Sequence, residues 1–208
     1  MPLNSLSLWT LAVLSMFVAL LSWRFLFLGL DNTFVGAPFD AFLQNDRAFF
    51  VAHVIASPIA LAIGALQFFP TFRNRSISRH SWVGRIYSLS ILVGGLSAIF
   101  LTFSAWNRPM AASGFFLLGV FWLLSTGYAI HLARSKRIEQ HRDWMNRSFA
   151  LTASALTLRL YLGAFFVAGY DYHEVSSILA WLAWVPNLVV AEVIIARRAN
   201  TAANANAR

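Results

Sequence analysis

Of the chain's 208 residues, 59% are hydrophobic and only 12% charged, and the mean hydropathy is +0.64, a balance too apolar for a water-soluble domain. The absence of cysteine excludes disulfides, thiolate nucleophiles, cysteine-ligated zinc and iron–sulfur clusters, which leaves histidine as the strong soft-metal ligand. A net charge of +8 does not point to a nucleic-acid partner, because the basic residues sit between hydrophobic segments rather than on one soluble patch.

Six apolar stretches follow in chain order, at 6–29, 48–70, 81–103, 110–132, 147–169 and 177–196, each close to the ~20 residues that span a ~30 Å hydrocarbon core. They are continuously apolar, whereas barrel strands would alternate over ~10 residues. The expectation is an all-α, polytopic bundle of six transmembrane helices in the lipid bilayer, with residues 1–198 as one domain. The first stretch is longer than a signal-peptide core, lacks a basic leader and a small-residue cleavage site, and reads as a retained helix. Gly64, Gly94, Gly95, Gly114, Gly119, Gly127 and Gly163 fall inside the stretches, where small residues let helices approach. The Ala/Asn-rich tail, 199–208, has nothing apolar to bury and reads as disordered.

Charge orients the bundle, because short cytoplasmic loops carry the excess of Lys and Arg. The second connection holds Arg73, Arg75, Arg79 and Arg85, and the fourth holds Arg134, Lys136, Arg137, Arg142 and Arg147. The first carries Asp31, Asp40 and Asp46 with Arg47, the third Arg108, and the fifth Asp171 and Glu174. Every connection therefore gives the same orientation in a cell membrane, with both termini cytoplasmic. The N-x-S triplets at Asn74 and Asn146 fall in the inner loops, where glycosylation has no access.

The two basic loops echo each other. His80, Trp82 and Arg85 open the third stretch, and His141, Trp144 and Arg147 open the fifth. Two helical hairpins, spans two–three and four–five, could then pack about a pseudo-two-fold axis along the membrane normal, as a four-helix core in which His80 and His141 face each other. A haem b needs that arrangement: two imidazoles from different helices, an apolar slot, and cations such as Arg85, Arg142 and Arg147 near the propionates. The plainer alternative is that both histidines are solvated at the interface beside Trp82 and Trp144. His53 has no matching histidine in the second hairpin, where Gly114 stands at the equivalent distance from His141, so a symmetric second haem is disfavoured. His53 is left to bond a polar neighbour or to touch a quinone. His131 could substitute for either inner ligand, and His173 reads as a solvated loop residue.

Arg159 lies twelve residues into the fifth stretch, ~18 Å from its inner edge, where an unpaired guanidinium costs at least ~3 kcal/mol. Glu192 is the one acid inside a predicted helix, so an Arg159–Glu192 pair is the natural compensation, although Arg159 must bend inward to make it. Thr152, Ser154, Thr157, Tyr161 and Asn187 could otherwise satisfy either charge. Arg24, near the outer end of the first helix, can snorkel to the interface.

His53, Gln67-Phe68, His80-x-x-x-Gly84-Arg85-x-Tyr87, His141-x-x-Trp144-Met145-x-Arg147-Ser148, Leu151-Thr152, Leu158-Arg159 and Trp184-Val185-Pro186-Asn187 before Glu192 make a recognisable pattern. The chain resembles, from the second helix onward, the bacterial family of predicted membrane proteins called domain of unknown function 2306. That family has arginine directly after the first inner histidine, whereas Ser81 stands there in this chain and Arg79 precedes the histidine. More distantly, the layout resembles the four-helix cores of two-haem transmembrane b-type cytochromes that move electrons from ascorbate-like donors. Only His80 and His141 carry over onto that scheme, because Gly114 stands where a further ligand is expected.

Three functions stay open on the sequence. The first is a redox protein with one haem between His80 and His141, serving a quinone or another membrane redox protein. The second is a small-molecule or proton-coupled transporter built on Arg159, Glu192 and His53. The third is a non-catalytic accessory or assembly subunit.

Overall fold

The computed structural model describes residues 5–27, 46–69, 76–104 and 108–206. All regular structure among them is helical: α1 (Ser5–Phe27), α2 (Arg47–Leu66), α3 (Ile77–Ser104), α4 (Pro109–Arg134), α5 (Ile138–Thr152), α6 (Ser154–Val167), α7 (Tyr172–Leu182) and α8 (Val185–Asn206). The helices α5–α6 and α7–α8 are each one membrane span with a central break, so six spans result, each long and apolar enough to cross a bilayer. Asp31, Asp40, Arg73, Arg75 and Asn74 lie outside the described residues.

Two differences from the hydropathy reading have simple causes. The fifth span begins at Ile138, nine residues before the apolar stretch, because its first two turns are amphipathic and a hydropathy average does not detect them. The tail does not start at 199: α8 continues to Asn206, through alanines that carry the highest helix propensity.

The helices α2, α3, α4 and α5 close into a ring, with α2 on α3, α3 on α4, α4 on α5 and α5 on α2. α1 packs outside it against α2 and α6, and the last span packs on α4, α5 and α6. The expected four-helix core is therefore present, with α3 and α5 on its diagonal. Close approach inside the ring depends on glycine. A Cβ on Gly94 would sit 2.5 Å from Ser57 Oγ, one on Gly95 would sit 2.9 Å from Leu123, and one on Gly64 would sit 2.7 Å from the Tyr87 ring. The outer faces stay apolar and uncovered, with Leu89, Leu124, Leu160 and Val190 all more than half exposed, as acyl chains rather than water require.

The two breaks face each other. Pro186 cannot donate to a preceding carbonyl, and α7 ends at Leu182. Thr157 Oγ1 and Asn187 Nδ2 both donate to the Ala183 carbonyl, and Asn187 also reaches the Ala150 carbonyl and Thr157 Oγ1, each at 3.2 Å. Freed backbone at membrane depth must be satisfied by protein, and that is the work of Thr157 and Asn187, not the charge compensation expected of them.

Candidate functional site

α3 and α5 both start at the end of the bundle that carries Arg79, Arg85, Arg134, Arg137 and Arg142, here the arginine-rich end, and run in parallel away from it. Across the diagonal, Tyr87 Oη lies 3.0 Å from Ser148 Oγ and 2.8 Å from Thr152 Oγ1. His80 precedes Tyr87 by seven residues and His141 precedes Ser148 by seven. Seven residues are about two turns, or ~10 Å of rise, so each histidine shares a helix face with its member of the bridging pair.

The His141 ring is fixed by α4: Nδ1 is 2.8 Å from the Ala129 carbonyl. Only a protonated Nδ1 can donate to a carbonyl, so Nδ1 carries a hydrogen here, and in the neutral ring Nε2 is the acceptor. Both histidines are part-buried, whereas His131 is exposed and sits against the Tyr128 ring. One turn beyond His80, a Cβ on Gly84 would meet nothing nearer than Gln67 Oε1 at 3.9 Å. The Gln67 Nε2 beside that space is buried with no hydrogen-bond partner among the described residues.

The sequence echo has a structural counterpart. The Arg85 guanidinium lies 4.6 Å from the Trp82 ring centroid, and that of Arg147 lies 4.7 Å from Trp144. The two copies then diverge. Arg147 also forms a fork with Glu192 on α8, Nε to Oε1 at 2.6 Å and Nη2 to Oε2 at 2.8 Å, while Arg85 is exposed.

The Arg159–Glu192 pair expected from the sequence is not formed. Glu192 lies on the last span near the arginine-rich end, level with Arg147. Arg159 instead donates from Nη1 to the Ala155 carbonyl at 2.9 Å and from Nη2 to Ser22 Oγ on α1 at 2.7 Å. Among the described residues, Arg198 also forms ion pairs at the arginine-rich end, to Asp143 and, at 3.6 Å, to Glu139.

His53 is held within its own hairpin: Nδ1 is 2.9 Å from the Gly94 carbonyl and 3.2 Å from Ser57 Oγ. Gly114 does not face it. A Cβ there would sit 2.9 Å from Ala180 Cβ, so that position looks out to α7. The carbonyl of His173 accepts from Arg108 Nη1 at 2.8 Å. Among the described residues no three His, Asp or Glu side chains gather as a ligand set.

The centre of the ring holds a polar cluster that hydropathy did not flag: Tyr87, Trp122, Thr126, Ser148 and Thr152, all under 7% exposed. Trp122 Nε1 donates to Thr152 Oγ1 at 2.8 Å, and Thr126 Oγ1 lies 2.7 Å from Ser148 Oγ. Polar residues four apart on α4 and α5 (122/126 and 148/152) were the available signal.

The family model described as predicted membrane protein, DUF2306, matches residues 50–195. No curated protein and no solved structure matches the chain.

Proposed function

The chain belongs to that family of predicted membrane proteins, and from this premise we propose that it is a membrane redox protein holding one b-type haem between His80 and His141. The carrying observation is the register of the diagonal: both histidines stand seven residues before a pair of side chains bonded across the core. Parallel diagonal helices of a four-helix ring are where two imidazoles share one iron.

The donor set fits. The His141 Nδ1 bond to the Ala129 carbonyl is the outer contact that orients a ligating imidazole and raises its basicity. The position over Gly84, one turn from His80, is uncrowded, with Gln67 Oε1 at 3.9 Å from an added Cβ, and the Gln67 amide offers an unused donor there. Arg85 and Arg142, both exposed at the arginine-rich end, are the cations for propionates, while Arg147 is committed to Glu192. A bound haem supplies one-electron transfer; a quinone or another membrane redox protein is the corresponding partner. By the positive-inside rule the site faces the cytoplasm.

The test is a haemin titration of the detergent-purified protein. Saturation at one haem per chain is expected, with a low-spin bis-imidazole spectrum lost in His80→Ala and in His141→Ala. Gly84→Leu, which fills the open space without removing a ligand, should weaken binding and leave the far-UV circular dichroism unchanged. Absence of saturable binding, or binding indifferent to both histidines, refutes the proposal.

A further inference from the structure

We propose a second site, independent of the haem reading: the Arg159 guanidinium where α6 meets α1, in the half of the bundle away from the arginine-rich end, binds an anionic amphiphile. The ligand class is a phosphate or carboxylate headgroup on an acyl chain.

Arg159 spends two of its five N–H donors, and both acceptors are neutral. The Ala155 carbonyl belongs to its own helix. Ser22 gives its own hydroxyl hydrogen to the Val18 carbonyl at 2.7 Å, so toward Arg159 it acts only as an acceptor that aims the fork. No carboxylate pairs with Arg159 among the described residues. Arg24 lies within electrostatic range of it, so the local field is positive at a depth where a charge is costly unless it is neutralised.

The surroundings select the ligand's form. The Arg159 side chain is part-exposed, and at this depth what it is exposed to is acyl chain, so the anion arrives from the lipid. The apolar floor beside it is the buried cluster of Val18, Leu61 and Leu156, and the Trp23 indole joins α1 to α2 by donating to the Ile55 carbonyl at 3.4 Å. A planar cationic fork over an apolar floor matches two oxygens of a headgroup and the chain below it.

The experiment uses the full chain in a neutral maltoside detergent, with binding read by native mass spectrometry and thermal unfolding. The probes are phosphatidylglycerol, oleate, phosphatidylcholine and sodium phosphate. One phosphatidylglycerol or one oleate per chain is expected, with affinity about tenfold or more weaker in Arg159→Gln, the scale of one charge-assisted hydrogen bond. Arg159→Lys keeps the charge but loses the fork, and guards against a folding failure of the glutamine variant; it should bind with intermediate affinity. Preference for phosphatidylglycerol identifies a phosphate headgroup, and preference for oleate identifies a fatty-acid carboxylate. Equal binding of phosphatidylcholine, an equal response to sodium phosphate, or unchanged affinity in both arginine variants overturns the proposal. So does absence of anion binding together with a stability loss in Asp31→Asn or Asp40→Asn that matches Arg159→Gln, since the chain's own loop would then supply the counter-ion.

Discussion

Replacing Tyr87 with phenylalanine should cost little, although Tyr87 is fully buried and touches two hydroxyls. In the central cluster, five hydrogens (on Tyr87, Trp122, Thr126, Ser148 and Thr152) serve six hydrogen-bond distances of 2.7–3.0 Å, including those to the Trp122 and Ser148 carbonyls. One of the six is therefore always without a hydrogen. Tyr87→Phe removes one hydrogen and two distances, and the four hydrogens that remain match the four distances that remain. The loss is that of one net bond, about 0.6–1 kcal/mol in a membrane bundle. Thr152→Val is nearly isosteric but takes away the acceptor that Trp122 Nε1 uses at 2.8 Å, leaving a buried N–H unsatisfied at about 1–3 kcal/mol beyond the lost bonds. Reversible unfolding in mixed micelles, with SDS titrated against a neutral detergent, measures both. Thr152→Val should be the more damaging by about 1 kcal/mol or more. A Tyr87→Phe variant as unstable as Thr152→Val would refute the hydrogen count.

Other substitutions probe the remaining contacts in the same assay. Gly64→Ala should destabilise by about 1–3 kcal/mol, because its Cβ meets the Tyr87 ring at 2.7 Å and the Phe149 ring at 2.9 Å. Gly127→Ala, with nothing within 4 Å of the added Cβ, should be neutral or stabilising by up to about 1 kcal/mol. Glu192→Gln should cost under about 1 kcal/mol, since the carboxylate it removes is 52% exposed and water screens such pairs. The double exchange Arg147→Glu with Glu192→Arg should recover most of that loss. Asn187→Leu should cost about 1–3 kcal/mol by leaving the Ala150 carbonyl without its side-chain donor at the helix breaks.

The six spans were legible because their length and continuous apolarity match the bilayer, and the four-helix core because two basic loops repeat His, Trp and Arg. What hydropathy did not show is where a span changes direction internally. Pro186 marks the α7–α8 break, but the α5–α6 break at Ala153 has neither proline nor glycine, and is held by the Thr157 and Asn187 bonds from across the interface. The choice of Arg147 over Arg159 as the partner of Glu192 follows from depth, which sequence counting fixes only to a few residues. The Tyr87 cluster escaped notice because Ser and Thr hardly change a hydropathy average. Their grouping depends on α3, α4 and α5 converging, which no single-helix pattern contains.

The most direct measurement is the reduced-minus-oxidised visible spectrum of the detergent-purified protein, expressed with ample haem supply, beside His80→Ala and His141→Ala. The expected result is a stoichiometric b-type signal in the wild type that disappears in both variants while His131→Ala keeps it. A colourless wild type, or a signal that survives both substitutions, would contradict a haem shared between α3 and α5.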